Sequence, residues 1–360
     1  MGGNALASVG AARCSKVVAE QMLSEFRSQF AVTIARFDVG ARIAPIMAYR
    51  QKEDFGDLDV LVDSTLFKQV PPVEFVNELS NNYGQPLHWV KNGPVLSIGL
   101  PLMEPGRCLQ LDLISTPTEE FDFSLQYFSW NDAGNLIGRV AHKMGLKFGH
   151  DGLWLPMRDG TNLFDEILVT RDFSVALRFL GFNAERWKSG FDTLEDIYRF
   201  VAAGERFDPS LYPLEHRNHT ARVRDKKRPV YMGFLRWLEA QPSLPVQEWH
   251  ADKTRYLPEI LEAFPELAEA HQASLQRLSR SKALRARFNG ELVSEWTGLQ
   301  GKELGKFIAH FKREHDDFEG WLHSLSDEQL RVEAQASHQR VQGLAEDGLH
   351  AEISSQPSPR

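Results

Sequence analysis

Phe55-Gly56-Asp57-Leu58-Asp59-Val60-Leu61-Val62 is a run of strong β-formers opened by a glycine and interrupted twice by aspartate. Side chains alternate along a strand, so Asp57 and Asp59 share one face while Leu58 and Val60 share the other. Two neighbouring carboxylates on one face repel each other and destabilise the strand unless a cation lies between them. Asp112 interrupts a second apolar strand, Leu109–Ile114, in the same manner. An apolar strand seldom carries a carboxylate without a partner, because burying the charge is costly. If the two strands pair, three carboxylates converge on one site for a hard cation. Oxygen-only ligands favour Mg²⁺ over zinc or copper.

Such a site suits phosphoryl or nucleotidyl transfer, in which two ions about 3.5–4 Å apart activate a hydroxyl and stabilise a departing pyrophosphate. On this reading Asp57 and Asp59 hold the ions that carry a triphosphate. Asp112 acts on the attacking hydroxyl as a metal ligand or general base. Other metal chemistry has less support. The two cysteines, Cys14 and Cys108, lack a CxxC spacing, and the 12 histidines include no HExxH pair.

Working outward, residues 16–30 carry Val17, Met22, Leu23, Phe26 and Phe30 at near-helical spacing. Ala41–Arg50 reads as a strand, with Pro45 marking an edge or bulge. Pro71–Asn81 reads as a helix with proline in its first turn. Asn92-Gly93 and Asp159-Gly160 read as tight hairpin turns, the first between Leu87–Val90 and Val95–Leu100, the second between Gly152–Met157 and Asn162–Val169. Asn131 or Asp132 is a candidate cap for a helix through Met144, closed by Gly145. Beyond about residue 170 the pattern turns helical, over Phe173–Leu180, Leu194–Ala203, Arg228–Ala240, Leu257–Ala283 and Glu303–Arg313. The predicted class is therefore α+β, a small mixed sheet followed by a mainly helical body.

Composition excludes several classes. At 42% apolar and 25% charged the chain is an ordinary globular one. It has no apolar run long enough for a membrane span and no signal-peptide pattern, so a cytoplasmic location without membrane partners is expected. Net charge is −8, yet Arg217–Arg228 holds six basic residues and one acid, and a second basic run spans Arg277–Arg287. Clusters of this kind neutralise phosphates even in acidic proteins, or simply form solvated helix faces.

The aspartate pattern, Gly56-Asp57-Leu58-Asp59-Val60-Leu61-Val62 with Leu111-Asp112-Leu113, resembles the catalytic core of the DNA polymerase beta superfamily of nucleotidyltransferases over roughly residues 15–120. That resemblance implies a nucleotidyltransferase head, two Mg²⁺ ions and an NTP substrate, ATP or CTP. The family usually has a Gly-Ser pair ahead of the aspartates to cradle the triphosphate. Here Gly40 is followed by Ala41, so the loop is reshaped or another segment supplies it. Gly2-Gly3-Asn4 is the candidate, through exposed backbone N–H groups. Arg50 and Lys52, just ahead of the aspartates, are further candidates for the phosphates.

Gly2–Leu6, Lys52–Val62 and Trp130–Gly152 are similar to uncharacterised nucleotidyltransferase-like proteins of large bacteriophages. This draws attention to Asn135, Arg139 and Lys143, which at i, i+4 and i+8 form one polar helix face that either meets the triphosphate or is merely solvated. Phe288–Val293 and Gly298–Ile308 resemble a helix-turn-helix element of CCA-adding tRNA nucleotidyltransferases, while Arg222-Val223-Arg224-Asp225 is not equivalent to the motif by which those enzymes select the nucleotide. The implied partner is an RNA acceptor, tRNA-like, contacted through Arg222, Arg224, Lys226, Lys227, Arg228 and Lys302. The expected organisation is a catalytic head at 1–120, an α/β-to-helical region with the basic cluster at 121–245, a helical domain at 246–335 and a disordered tail at 344–360. Two alternatives stay open: transfer of NMP to a protein or small molecule, cyclic-nucleotide synthesis included, and an inactive RNA-binding relic.

Overall fold

The computed structural model describes residues 5–241, 243–244 and 246–354, with side chains through residue 343. A two-residue strand, β1 (Cys14–Ser15), leads into α1 (Lys16–Arg36), whose first turn is capped by the Ser15 hydroxyl accepting from the Val18 N–H. The helix buries Ala19, Met22, Phe26, Phe30 and Thr33, one residue every three or four, and runs past the predicted end at residue 30. The strand predicted over Ala41–Arg50 shrinks to β2 (Ile43–Pro45) at the sheet edge. Pro45 has no N–H to extend a ladder.

β3 (Asp54–Phe55) pairs with β1, and β4 (Asp57–Asp63) carries the first two aspartates. After α2 (Thr65–Gln69) and α3 (Pro72–Tyr83) come β5 (Trp89–Asn92), β6 (Val95–Pro101) and β7 (Cys108–Thr116). The five-stranded sheet has order β2-β4-β7-β6-β5, with β4 and β7 parallel and the other neighbours antiparallel. Its two faces follow from the alternation. Leu58, Val60 and Val62 of β4 and Leu109, Leu111 and Leu113 of β7 pack with Phe26 and Phe30 of α1 and Phe75 and Leu79 of α3. Each fully buried phenylalanine contributes about 2–3 kcal/mol to that core. The opposite face begins polar at Asp57, Asp59, Gln110 and Asp112, and becomes apolar only at Leu61 and Ile114, which pack on Phe121.

α4 (Phe121–Phe128) and α5 (Ala133–Lys143) follow, then an antiparallel sheet of β8 (Lys147–Gly149), β9 (Gly152–Asp159) and β10 (Asn162–Thr170) in order β10-β9-β8. Both hairpin loops lie one residue later than predicted. Asn92 pairs with Val95 and Asp159 with Asn162, leaving Gly93-Pro94 and Gly160-Thr161 as the turns. The first loop position needs a positive φ, and Gly93 (56°) and Gly160 (59°) supply it.

The helical part continues as α6 (Phe173–Phe179), α7 (Ala184–Ser189), α8 (Leu194–Ala202), α9 (His219–Lys226), α10 (Pro229–Glu239) and α11 (Leu257–Ala263). A second core gathers Leu136, Ile137, Val140, Trp187, Phe191 and Phe234. α12 (Leu267–Arg287) is separate from α11, where one helix over Leu257–Ala283 was predicted. Phe264 leaves the helical region ahead of Pro265, as residues before proline do. α13 (Gly290–Thr297), α14 (Gly301–Arg313), α15 (Phe318–Ser324) and α16 (Asp327–Ser354) complete the chain, around Phe288, Val293, Phe307, Phe311 and Leu322. Residues 344–354 of the expected tail are thus the last turns of α16, and 355–360 lie outside the described residues. Residues 1–268 and 269–360 form two compact units. The predicted class holds: small mixed sheets near the N-terminus, then a largely helical body. Among the described residues no helix is long and apolar enough to cross a membrane.

Candidate metal centre

Parallel pairing of β4 with β7 sets Asp59 directly beside Asp112 and Asp57 beside Gln110. Because side chains at i and i+2 share a face, all four point to the same side of the sheet. One carboxylate oxygen from each of Asp57, Asp59 and Asp112 lies within 4.8 Å of the others. Asp112 is buried and held in place. Gln110 Nε2 donates to its Oδ1 at 2.9 Å, and Ser97, directly across in β6, hydrogen-bonds the same carboxylate. Gln110 is fixed in turn, since its Oε1 accepts from the Leu6 N–H at 3.1 Å. Asp59 differs: its Oδ1 is sealed from solvent and has no hydrogen-bond partner among the described residues. A buried carboxylate oxygen left unsatisfied costs several kcal/mol, and a cation is what this geometry accommodates. The donor set is all oxygen, and the cluster is large enough for one ion.

Electrostatics agree. Burial first, and then the neighbouring Asp57 and Asp112 carboxylates, push the Asp59 carboxyl up to about 6. Burial also raises Asp112, against the hydrogen bonds from Ser97 and Gln110. A carboxyl whose folded-state value is raised stabilises the fold when protonated, and that stability is lost as pH climbs from about 4 through 6. For Asp59 the loss is at most about 3 kcal/mol. Without metal, Asp59→Asn is therefore expected to melt above the wild type at pH 7.5, with the gap closing toward pH 4. Added Mg²⁺ or Mn²⁺ should reverse the order at pH 7.5. Parallel melting curves across that range, with and without metal, would show that the carboxylates are not in conflict.

A cleft of about 260 Å³ opens beside the triad, with Lys52, Asp57 and Asp59 on one wall. Burial lowers the Lys52 ammonium, the two aspartates oppose that, and its Nζ sits 4.2 Å over the Phe55 ring. The other wall brings Tyr127, Asn131, Asp132, Asn135 and Arg228. Two non-glycine residues there, Trp130 and Asn131, adopt left-handed φ of 61° and 59°. Such conformations cost about 1–3 kcal/mol each and persist where surrounding contacts enforce them. Here the Trp130 N–H donates to the Met47 carbonyl at 2.6 Å, and its buried ring meets Phe191 edge-on at 5.6 Å. This reversal turns Asn131 and Asp132 into the cleft.

No known family model matches the chain, and no curated protein is significantly similar to it. The site therefore has to be read from its own residues.

The remaining candidates separate. Gly2, Gly3 and Asn4 lie outside the described residues. Arg50 pairs with Asp192 at 2.7 Å and with the Ser189 carbonyl, and it does not line the cleft. On α5, Asn135 lines the cleft, whereas Arg139 donates to the Leu211 carbonyl at 3.0 Å and Lys143 lies two turns farther on. The basic cluster splits as well. Arg217 is buried in an ion pair with fully buried Asp225 at 2.8 Å, and Arg224 approaches the same acid at 3.5 Å. Arg228 enters the cleft wall and pairs with Asp132 at 3.0 Å. Arg222 is half-buried, while Lys226 and Lys227 are exposed on and just past α9, and Lys302 is exposed on α14. Sequence reasoning passed over Gln110 and Ser97 as supports for Asp112. Gln110 was detectable, since it breaks an apolar strand two residues before Asp112 and so shares its face.

Proposed function

We propose that this chain is a Mg²⁺-dependent, template-independent nucleotidyltransferase that moves a nucleotide from ATP or CTP to the 3′ hydroxyl of an RNA, tRNA-like in the simplest case. The observation that carries the reading is the convergence of Asp57, Asp59 and Asp112, with the orphaned Asp59 oxygen, beside a cleft lined by Lys52 and Arg228. The triad would hold the catalytic metal, which supplies charge neutralisation at the phosphates and a lowered pKa at the attacking hydroxyl.

The chain's own residues do the rest. In the transfer, the acceptor's 3′ oxygen bonds to the α-phosphorus as the bond from that phosphorus to the pyrophosphate oxygen breaks. The hydroxyl proton passes to a carboxylate of the triad. Asp112, held by Gln110 and Ser97 with its pKa raised, is the fixed member suited to receive it. Lys52 places a positive charge beside Asp57 and Asp59, where phosphate oxygens would lie. Asn131, Asp132 and Asn135 offer hydrogen-bonding groups to the nucleoside.

The test is to incubate the purified chain with Mg²⁺, each α-labelled NTP in turn, and tRNA with and without its 3′ end. Label entering RNA, and only with the aspartates intact, is the expected result, and it identifies the nucleotide. Label on protein or in a small product would move the acceptor to another class. No label anywhere, with NTP failing to bind, would overturn the catalytic reading.

A further inference from the structure

α5 carries more positive charge than the cleft uses. Arg139, His142 and Lys143 follow Asn135 along one stripe of the helix, at spacings of three and four residues. At 1.5 Å per residue, Lys143 lies about 12 Å along the helix axis from Asn135, which lines the cleft. Two further cations come from other elements. Lys253 sits against the end of the same helix, its Nζ 3.4 Å from His142 Nε2 and its Cβ packed close to Gly145. Arg158 extends from β9 and hydrogen-bonds the Thr161 carbonyl at 3.1 Å.

The main ionisable groups acting on His142 and on Lys253 are all cationic. Burial and these neighbours lower the Lys253 ammonium and bring His142 down to about 4. The neighbouring Asp252 is committed to the N–H and hydroxyl of Thr254. In a chain of net charge −8, cations held this close to one another are an unfavourable arrangement that a polyanion would relieve.

We propose that Arg139, His142, Lys143, Arg158 and Lys253 form a track for the sugar–phosphate backbone of RNA, leading away from the cleft along α5. The length fits: about 12 Å accommodates about three phosphates at the spacing of one strand. Arg139, tied to the Leu211 carbonyl, is the fixed end nearest the cleft, and His142 as a neutral imidazole adds hydrogen bonding without charge. The track contacts phosphates and so reads no sequence. Its role in presenting a 3′ end rests on the nucleotidyltransferase reading, but its affinity for RNA does not.

The experiment is fluorescence anisotropy with a labelled single-stranded RNA of 15 nucleotides, on the full chain without NTP, across a NaCl series. The variant is Lys143→Glu/Arg158→Glu/Lys253→Glu. A matched control reverses three cations on other surfaces, Lys68→Glu/Lys91→Glu/Lys188→Glu. The track predicts a Kd at least about tenfold weaker for the first variant, with the slope of log K against log salt shallower by about 2, and a much smaller change for the control. Equal losses in both variants would reduce the effect to bulk charge and overturn the track. So would an unchanged Kd and slope, or a flat salt dependence in the wild type. Loss of NTP binding with RNA binding intact would reassign the cluster to the triphosphate and also overturn it. If the first variant alone loses RNA while no preparation transfers nucleotide, the track stands and the catalytic reading falls.

Discussion

Asp57→Asn and Asp59→Asn are each expected to slow nucleotide transfer by about a thousandfold or more at saturating Mg²⁺ and NTP. The substitutions keep the side-chain shape, so the sheet register and the apolar faces of β4 and β7 are undisturbed. What they remove is a full negative charge from a cluster that, on the proposed function, holds a cation against developing charge at phosphorus. Stabilisation of that kind amounts to several kcal/mol, and each 1.36 kcal/mol is a factor of ten in rate. The loss should fall on kcat more than on the KM for RNA, because the proposed track, and not the triad, would bind the acceptor's phosphates. Single-turnover assays with labelled NTP read this directly. Activity above about a tenth of wild type in either variant would mean that the triad is not the catalytic metal site.

Asp225→Ala is expected to produce the largest loss of stability, about 3–5 kcal/mol by chemical denaturation. Asp225 is fully buried and Arg217 nearly so, at 7% side-chain exposure, and their ion pair is 2.8 Å long. Removing the acid leaves a guanidinium out of water with the Tyr231 hydroxyl, at 3.3 Å, as its remaining hydrogen-bond partner among the described residues. Arg42 and Asp122 are the comparison: both are largely exposed, and breaking that pair should cost under about 1 kcal/mol. Asn135 reaches Asp225 at 3.5 Å, so the same loss should also loosen the α5–α9 side of the cleft. A destabilisation no larger for Asp225→Ala than for Asp122→Ala would show that the buried pair is not under this constraint.

The part of the site that lies on regular strands was legible in the sequence. Period-2 alternation is a strong local signal, and it placed Asp57, Asp59 and Asp112 on one face before any contact was known. The same logic could have added Gln110. The hairpins were legible in kind, but their turns were read one residue early, because it is glycine that must open the loop. Charge was harder to interpret. Among the six bases between Arg217 and Arg228 the single acid, Asp225, proved to be the buried partner, and it sequesters Arg217 and draws on Arg224.

Of the second wall of the cleft, Asn135 and Arg228 stood out in the sequence, but the chain reversal that sets Asn131 and Asp132 beside them did not. That reversal depends on a backbone contact between Met47 and Trp130 and on left-handed backbone at Asn131, which tolerates it, and at Trp130, which rarely adopts it. Neither has a local sequence signature. The lysine and arginine residues of the proposed track come from three separated segments, and only the fold brings them together.

The most direct test of the metal centre is diffraction from crystals of the full chain soaked in Mn²⁺, with an anomalous difference map. The predicted result is a peak in contact with carboxylate oxygens of Asp57, Asp59 and Asp112, absent from Asp59→Asn crystals treated alike. A map without a peak at the triad at millimolar Mn²⁺, or with the same peak in the variant, would contradict the assignment of these three aspartates as a metal site.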